Sequence, residues 1–265
     1  MKLRVATYNI HKGVTVRGRP RIDDVRKALQ AMNADIVFLQ EVQDRNERLA
    51  ARHAGYPKST QIEFLSAQIY EHHAYGMNAV YPHGHHGNAI LSHHTIRQFT
   101  NHDVSDHALE KRGLLHAVCR VGKRDVHLIC VHFGLLKRSR LRQAGFLVDF
   151  VASEMPARAP LIIAGDFNDW QRRVDTELRR RLGVIEASDA AAEPTLLDRL
   201  LPWRGSGRAG GKARLARTYP ALLPWLHLDR IYLRGFRVIS VEVPRGAAWA
   251  RRSDHVPLIA EVQFK

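Results

Sequence analysis

The sequence is poor in cysteine and contains no long hydrophobic run. Only two cysteines, Cys119 and Cys130, occur in 265 residues, which excludes a disulfide framework and predicts two reduced, buried thiols. No apolar run approaches the ~18 residues that a membrane-spanning helix requires. The N-terminal segment, MKLRVATYN, has too short an apolar run for a signal peptide and no small-residue cleavage site. We therefore expect a cytoplasmic protein without a transmembrane segment.

Acidic residues are also scarce relative to basic ones. The chain has 26 Asp and Glu against 41 Lys and Arg, which gives a formal net charge of +15. This charge favours polyanions or acidic surfaces as partners, although solvated basic faces would account for the same excess. With 45% hydrophobic residues the chain can bury a large core, and it shows neither an internal repeat nor a clear boundary. The sequence thus predicts a single domain over residues 1–265.

The most informative stretch is Pro160–Trp170, which reads PLIIAGDFNDW. Leu161–Ala164 is a short apolar run of the length expected for a buried strand. Asp166 and Asn168 follow it two residues apart, and such positions face the same side of an extended backbone. A carboxylate and an amide delivered together can hold a water molecule or a metal-bound group, as hydrolysis of a phosphate ester requires. Taken alone, the same residues are equally typical of a plain turn.

Apolar runs with strand or helix periodicity recur along the chain. Strands are predicted at Leu3–Tyr8, Ile36–Leu39, Ala89–Ser92, Gly113–Val121, Val126–Val131, Leu161–Ala164, Leu228–Leu233, Val238–Val243 and Val256–Val262. Helices are predicted over 22–32, over most of 44–72, in a segment that ends near Ser153, and in the basic segment 172–181. The alternation of strands and helices, with polar residues at strand ends, favours layers of sheet covered by outer helices.

Two other features are interpreted as surface loops. Tyr75–His86 is rich in His and Gly, and His83, His85 and His86 lack a partner at helical or zinc-finger spacing. The run GSGRAG at 205–210 formally matches a dinucleotide-binding fingerprint, but it neither follows a strand nor opens an apolar helix. We therefore predict a solvated loop in the first case and a flexible, basic loop in the second.

Polar residues stand at the ends of several predicted core strands, where an unpaired charge or amide is costly. Six such sites occur: Asn9, Glu41, His132, Asp166 with Asn168, Asp229, and Asp254 with His255. One such site means little, but six at the edges of core strands indicate that they meet in one cleft. Oxygen ligands without thiolates suit a hard cation such as Mg²⁺ or Mn²⁺, and not structural zinc.

The ordered motifs TYNIHKG, LQEV, GNAILS, VHFG, GDFND, LDRIYL and SDHVP resemble those of the endonuclease/exonuclease/phosphatase superfamily. The resemblance covers nearly the whole chain, from Ala6 to Ile259. Each motif is weak alone, whereas their order and spacing together are specific. The resemblance implies the deoxyribonuclease I-like fold. That fold is α+β, a four-layer α/β/β/α sandwich in which two mainly antiparallel mixed sheets pack face to face between outer helices.

The resemblance also implies roles for the residues that match its motifs. Asn9 and Glu41 would hold the divalent metal, Mg²⁺ or Mn²⁺, with Glu41 as a direct ligand. Asp254 would lie beside the ion, as a ligand or through water. Asp166 would orient or deprotonate the attacking water, and Asn168 would position that water and a phosphate oxygen.

Two histidines would face the scissile phosphate according to the same resemblance. His255 would donate a hydrogen bond to it, with Asp229 behind the other ring nitrogen fixing tautomer and charge. His132 matches the second histidine of the deoxyribonuclease and sphingomyelinase branches, where the abasic-site repair branch usually carries a tyrosine. The carboxylate that should orient His132 cannot be placed, and Glu63 and Glu71 are the candidates.

Other residues near the motifs bear on the substrate. Asn88 would bind substrate and support the site from a neighbouring loop, and His11 departs from the family pattern, as in a bacterial subgroup of unclear substrate. Several arginines lie close in sequence to the site motifs and either guide an anionic substrate or are simply solvated. These are Arg138, Arg140, Arg251 and Arg252.

Together the motifs predict a phosphodiester hydrolase that depends on Mg²⁺ or Mn²⁺, most simply a nuclease acting on nucleic acid. A phosphodiesterase acting on a phospholipid head group is the alternative. Exposed apolar loop tips would favour it, with Trp203, Tyr219 and Trp225 as candidates. A non-catalytic anion-binding module is a third class, and the intact site motifs argue against it. No protein partner is inferred.

Overall fold

The computed structural model describes residues 1–15, 18–53, 56–57, 59–108, 110–191 and 215–265. Two sheets of six strands each are formed within these ranges. In spatial order the first contains β11 (Phe236–Glu242), β12 (Leu258–Phe264), β1 (Lys2–Asn9), β2 (Ile36–Asn46), β4 (Gly84–Ser92) and β3 (His72–Tyr81). The second contains β5 (Thr95–Asp103), β6 (Gly113–Val121), β7 (Arg124–His132), β8 (Leu161–Asp166), β10 (Asp229–Arg234) and β9 (Ile185–Glu186).

Helices connect the strands. They are α1 (Ile22–Met32), α2 (Glu47–Arg52), α3 (Gln61–Ser66), α4 (Lys137–Glu154), α5 (Arg173–Leu182), α6 (Ala187–Ala190) and α7 (Ala247–Ala250), with a 3-10 turn at His11–Gly13. The predicted helix over 22–32 is confirmed, and it ends at Asn33, whose left-handed φ of 45° closes it. Within the described ranges, no helix combines the length and apolar character needed to cross a membrane.

Three hydrophobic cores define the layers. The central core lies between the sheets and includes Phe38 of the first sheet and Leu128 of the second. A second core packs Leu29 of α1 against the outer face of the first sheet, and a third packs Leu147 of α4 and Leu178 of α5 against the second. Helix, sheet, sheet and helix therefore follow one another, which confirms the predicted four-layer sandwich.

Both sheets present polar strand ends at one edge. In the second sheet, β7 runs parallel to β8, so that His132 is level with Asp166. Strand β10 is antiparallel to β8, and its first residue, Asp229, pairs with Asp166. In the first sheet, β1 runs parallel to β2 and ends at Asn9. The side chain of Asn9 reaches Asp166 across the two sheets, at 3.2 Å. The register of the strands thus brings these residues together.

The prediction of a loop over Tyr75–His86 is wrong, because this segment forms the β3–β4 hairpin. Its aromatic and imidazole side chains pair with one another. The Tyr75 hydroxyl lies 3.0 Å from Nδ1 of His85, and the Tyr81 hydroxyl is bonded to Nδ1 of His86. Such side-chain pairs within a hairpin stabilise strands that lack clear hydrophobic alternation.

Two further differences concern polar segments. Residues 44–72 are less helical than predicted, because β2 continues to Asn46 through two shifts of register against β4. Among the described residues of this range, the short helices α2 and α3 are the ones that follow. Strand β5 has no counterpart among the predicted strands. Its residues are mostly exposed and polar, so its sequence carries little of the hydrophobic pattern by which a strand is identified. Both cysteines are buried and unbridged, as expected.

Gly165, inside β8, has no room for a side chain. Its φ is 151°, and it lies beside Val131 of the neighbouring strand. A Cβ atom added there would lie 1.9 Å from the Val131 carbonyl oxygen, which cannot move away because it belongs to a paired strand. We expect Gly165→Ala to lower the free energy of unfolding by about 1–3 kcal/mol or more, measured by urea denaturation.

Gly145→Ala is the matched control for that variant. Gly145 lies inside α4, and beyond the backbone of that helix no atom of the described residues comes within 4 Å of the Cβ that alanine would add. Alanine is favoured over glycine in a helix by about 0.5–1 kcal/mol, so a small stabilisation is expected. Equal unfolding free energies for the two variants would contradict the crowding at Gly165.

Candidate active site

Asp166 is the centre of the candidate site. It ends β8, is 2% exposed, and its Oδ2 lies 3.7 Å from Nε2 of His132 and 3.7 Å from Nε2 of His255. The side-chain amide of Asn9 donates to the same oxygen at 3.2 Å. Burial raises the pKa of Asp166 to about 6, although the charge of His255 opposes this shift. A carboxylate with such a pKa is a usable proton acceptor at neutral pH.

Asn168 lies on a turn directly after β8, so the expected extended backbone is wrong at this point. Its φ is 49°, and its backbone N–H donates to Oδ1 of Asp166 at 2.9 Å. Its side-chain amide donates to the carbonyl oxygen of Phe133 at 2.9 Å. The turn and the pair of Asp166 and Asn168 are therefore one feature, because the turn is closed by the hydrogen bond from the Asn168 backbone N–H to the Asp166 carboxylate.

His255 is held by a carboxylate. Its Nδ1 lies 2.7 Å from Oδ2 of Asp229, and the ring of Tyr219 packs on the imidazole with centroids 4.8 Å apart. Burial lowers the pKa of His255, but the carboxylates of Asp229, Asp166 and Asp254, with Asp229 first among them, together outweigh this effect and the pKa rises to about 10. The ring is therefore an imidazolium at neutral pH, with one N–H donated to Asp229 and the other on Nε2, the nitrogen nearer Asp166.

His132 has the opposite environment. Its Nδ1 faces Nη1 of Arg112 at 3.5 Å, and no carboxylate of the described residues is bonded to that nitrogen. Burial and, after it, the Arg112 guanidinium hold the pKa of His132 well below its usual range. Asp166 thus lies next to one charged and one neutral imidazole, and such unequal environments commonly assign different chemical roles to paired groups.

Neither Glu63 nor Glu71, the two candidate partners of His132, contacts its Nδ1. Glu63 forms a capping box at the start of α3, and Glu71 is bonded to His93 at 2.9 Å. On the Nδ1 side of the ring, the Glu110 carboxylate is bonded to Arg112, because its Oε1 accepts a hydrogen bond from Nη2 of Arg112 at 2.8 Å. A guanidinium therefore stands between Nδ1 of His132 and the Glu110 carboxylate.

Of the residues predicted to hold a metal, Asn9 contacts Asp166, and Glu41 and Asp254 lie around Asn9 and His11. Asn9 donates to Oε1 of Glu41 at 3.4 Å, and its Oδ1 accepts the backbone N–H of His11 at 3.1 Å. Asp254 is close by, with Oδ2 3.3 Å from Nδ1 of His11. Glu41 and His11 both have left-handed backbones, with φ of 57° and 45°. Strain of this kind in residues other than glycine is concentrated at functional sites.

The donors gathered here fit a hard divalent cation. Glu41 and Asp254 offer carboxylate oxygens and Asn9 offers an amide oxygen, with no thiolate nearby. One carboxylate oxygen, Oδ1 of Asp229, is buried and has no hydrogen-bond partner among the described residues. Buried polar atoms are rarely left unpaired, so this oxygen indicates a site that is completed by a bound water, ion or substrate.

A second arrangement of possible ligands is less suitable. Asp166, Asp229 and His255 bring ligand atoms within 4.8 Å of one another. Nδ1 of His255 and Oδ2 of Asp229 are already bonded to each other at 2.7 Å, so fewer ligand atoms of this group are free. The histidines of the β3–β4 hairpin belong to no such group within the described part of the chain. The assignment of the cation to Glu41, Asn9 and Asp254 stays a prediction.

Asn88 lies inside β4, between the two sheets, and not on a loop as expected. It is 1% exposed. Its amide donates to the carbonyl oxygens of Gly113 and Cys130 at 2.9 and 3.4 Å. These contacts link β4 to the start of β6 and to β7, so Asn88 holds the sheets together near the site. A direct role in substrate binding stays a prediction.

The arginines considered as guides for substrate differ in their environments. Arg251 and Arg252 line a cavity of about 480 Å³ that also borders Asp254. Arg138 is exposed, whereas Arg140 is 3% exposed and donates to main-chain carbonyl oxygens in the loop after β7. Arg140 therefore supports the loop, whereas Arg251 and Arg252 border a cavity beside Asp254, a candidate metal residue.

An apolar loop stands beside the site. Leu222 and Trp225 are 87% and 61% exposed, and they follow Tyr219, which packs on His255. This is the feature expected of a protein that works at a lipid surface. Trp203, the remaining candidate for such a contact, lies outside the described residues, as does the glycine-rich run at 205–210.

Sequence reasoning missed two contacts of the site histidines. Arg112 precedes β6, and Tyr219 lies in an irregular stretch before β10. Neither residue ends a core strand, so the pattern that revealed the other residues could not reveal them. The sequence pointed to Arg112 only indirectly. The position behind His132 had no assignable carboxylate, which left it open to another kind of residue.

Comparisons with known proteins bear on the family and the fold of the chain. A sequence model of the Endonuclease/Exonuclease/phosphatase family matches residues 6–255. YbhP, an uncharacterized protein of Escherichia coli strain K12, is 38% identical over 267 residues, covering 98% of this chain and 96% of that protein. An endonuclease/exonuclease/phosphatase from Bacteroides vulgatus has a TM-score of 0.72 at 17% identity, covering 100% of both chains. D. rerio TDP2, solved with a single strand DNA product, has a TM-score of 0.67 at 17% identity, covering 99% of both chains.

Proposed function

The chain belongs to the endonuclease/exonuclease/phosphatase family, and we propose that it is a divalent-metal-dependent phosphodiesterase that cleaves nucleic acid. The observation that carries this proposal is the arrangement around Asp166, whose buried carboxylate lies 3.7 Å from both His132 and His255. A proton acceptor and two imidazole donors, next to a group of oxygen ligands, are the parts that hydrolysis of a phosphodiester needs.

Asp166 is the proton acceptor in this proposal. A water molecule held between Asp166 and Asn168 attacks phosphorus, and its proton passes to the carboxylate. The phosphorus–oxygen bond to the leaving group breaks, and the leaving oxygen departs with the electron pair. The pKa of about 6 supports this role, because the group is ionised at neutral pH and is more basic than an ordinary carboxylate.

His255 and His132 bind the scissile phosphate. The His255 imidazolium donates from Nε2 to a non-bridging oxygen, where negative charge grows during the reaction. Asp229, 2.7 Å from the other ring nitrogen, keeps that ring charged and correctly oriented. His132 donates from Nε2 as a neutral ring.

Glu41, Asn9 and Asp254 would hold the cation, Mg²⁺ or Mn²⁺. When bound, the cation offsets the charge of the phosphodiester and stabilises the leaving oxyanion. The left-handed backbone of Glu41, with φ of 57°, supports this assignment, since such strain persists where the surrounding structure fixes the direction of a side chain.

Charge supports nucleic acid as the substrate. The net charge is +15, and a cavity lined by arginines borders Asp254. The similar structure of TDP2 contains a single strand DNA product. A phospholipid head group is the second candidate, which the exposed Leu222 and Trp225 favour. Two free thiols agree with the cytoplasmic location that we propose.

Hydrolysis is expected to require a divalent cation. We expect the purified protein to cleave at least one member of a panel of plasmid DNA, abasic duplex, RNA, sphingomyelin and inositol phosphates. Activity should be present with Mg²⁺ or Mn²⁺, absent with excess chelator, and restored when the cation is added back. Failure to cleave any of these with either cation would refute the proposal and favour the non-catalytic anion-binding module.

The same panel separates the two substrate classes. Cleavage of nucleic acid should weaken steeply with rising salt, because phosphate contacts release counterions, and Trp225→Ser should leave it unchanged. Hydrolysis at a lipid surface should instead depend on Trp225, which is 61% exposed. A strong effect of Trp225→Ser on sphingomyelin cleavage, without DNA cleavage, would favour the second candidate.

A further inference from the structure

Nδ1 of His132 faces a hydrogen-bond donor, although the family resemblance leads us to expect a carboxylate acceptor at this place. Nη1 of Arg112 lies 3.5 Å from Nδ1 of His132. A guanidinium has five N–H donors and no acceptor. The lone pair of Nδ1 must therefore point at Arg112, and the ring proton must lie on Nε2. That nitrogen is the one 3.7 Å from Oδ2 of Asp166, so the N–H faces the reacting groups.

Arg112 is held at its guanidinium head and at its backbone. Nη2 donates to Oε1 of Glu110 at 2.8 Å, and the side chain is only 12% exposed. Its backbone N–H donates to Oγ of Ser105 at 3.0 Å, and its carbonyl oxygen accepts the N–H of Val104 at 3.0 Å. A planar guanidinium held in this way is preorganised, so little conformational entropy is lost when it directs a neighbouring group.

Glu110 is fixed in turn by the loop that follows His132. Its Oε1 also accepts the backbone N–H of Leu135 at 3.2 Å. Gly134 supplies the space, because a Cβ atom added there would lie 2.5 Å from Oε2 of Glu110. The loop after β7 thus packs closely on Glu110 at Gly134, the glycine of the motif VHFG.

We propose that Arg112 is a positioning residue that holds His132 as the neutral tautomer protonated on Nε2, with Glu110 holding Arg112 in place. The consequence for catalysis rests on the proposed function, whereas the tautomer does not. The two histidines then differ in where the positive charge lies. In His255 the charge is on the protonated ring, whereas at His132 the ring is neutral and the charge is on the neighbouring guanidinium of Arg112.

Arg112 also borders a cleft in which a substrate could lie. Arg112 also lines a cavity of about 470 Å³, together with Lys12, Tyr81, His86 and Glu41. The guanidinium therefore lies between His132 and an open cleft that borders a candidate metal ligand. Burial and Arg112 both keep the pKa of His132 low, which agrees with a neutral ring at this place.

Histidine-selective ¹⁵N NMR of the metal-free protein at pH 7 tests the tautomer directly. In the unaltered protein we expect His132 to show an unprotonated Nδ1 and a protonated Nε2, and His255 to show both nitrogens protonated. Arg112→Met has similar length but no donor, so the tautomer should become mixed or shift to Nδ1–H. We expect kcat for Mg²⁺-dependent hydrolysis to fall by about 10²-fold, with a much smaller change in KM.

Arg112→Lys and Arg97→Met complete the test. Lysine keeps a donor and a charge, so it should keep the Nε2–H tautomer and recover part of kcat. Arg97 is an exposed residue of β5 that pairs with Asp125 at 3.7 Å, and Arg97→Met should change neither readout. If Arg112→Met does not fold, Glu110→Gln replaces it, because it loosens Arg112 and should mix the tautomers in the same direction.

Two results would overturn the proposal. One is a protonated Nδ1 on a neutral His132 in the unaltered protein. The other is an unchanged Nε2–H tautomer when the donor is removed in a folded Arg112→Met protein. Absence of hydrolysis in the unaltered protein would refute the proposed phosphodiesterase activity instead, and the NMR spectra would still decide which nitrogen of His132 carries the proton.

Discussion

Asp166→Asn is expected to lower kcat for Mg²⁺-dependent phosphodiester hydrolysis by about 10²–10⁴-fold. Asparagine has nearly the same shape, and its oxygen can still accept the backbone N–H of Asn168, which donates to Asp166 at 2.9 Å. It cannot take a proton from water. The turn after β8 is therefore kept while the proton acceptor is lost, and initial rates at saturating Mg²⁺ measure the loss.

Two opposing effects set the stability of this variant. Burial raises the pKa of Asp166 to about 6, so the ionised carboxylate is less favourable in the folded protein than in the unfolded chain. For a raised pKa, the stability contribution is present at pH values below the unfolded pKa and is lost as pH rises through about 6. At pH 7 the metal-free Asp166→Asn protein loses this unfavourable charge but also the acceptor for the Asn9 amide at 3.2 Å, so its melting temperature should stay close to that of the unaltered protein.

Asp23→Asn provides the control for Asp166→Asn. Asp23 is exposed in the first turn of α1, and replacing it makes the same chemical change far from the site. Its activity should equal that of the unaltered protein. An Asp166→Asn protein that melts normally and keeps its rate within about tenfold would show that another group accepts the proton.

Strand ends account for most of what the sequence could reveal about the site. A buried strand reads as an apolar run, and a polar residue that closes it is costly unless it meets partners. Asn9, His132 and Asp166 could be found by that rule, and the register of β7 and β8 then makes His132 level with Asp166. The four-layer fold followed from the same runs together with the family resemblance.

Contacts between distant segments could not be predicted in this way. Glu63 and Glu71 have the chemistry expected of a partner for His132, but both make other contacts. Glu63 caps a helix, and Glu71 is bonded to His93. Arg112 stands in the expected place because β6 pairs with β7. Strands β3 and β5 were missed since polar edge strands lack the apolar alternation that identifies a strand.

Asp229→Asn should remove the charge of His255 without removing its ring. The asparagine oxygen can still accept the N–H of Nδ1, which now lies 2.7 Å from Oδ2 of Asp229, so the ring keeps its orientation. Burial lowers the pKa of His255, and the variant removes the carboxylate that does most to raise it. The ring becomes neutral at pH 7, and we expect kcat to fall by about 10²–10³-fold.

The pH profile distinguishes this loss of charge from a loss of structure. In the unaltered protein, kcat/KM should rise as Asp166 loses its proton near pH 6 and fall as His255 loses its proton near pH 10. In Asp229→Asn the alkaline limb should move to lower pH, because the neutral ring is now favoured. His255→Gln should lose activity to a similar degree, but its residual rate should show no such limb. An alkaline limb that stays near pH 10 in Asp229→Asn would mean that Asp229 does not set the charge of His255.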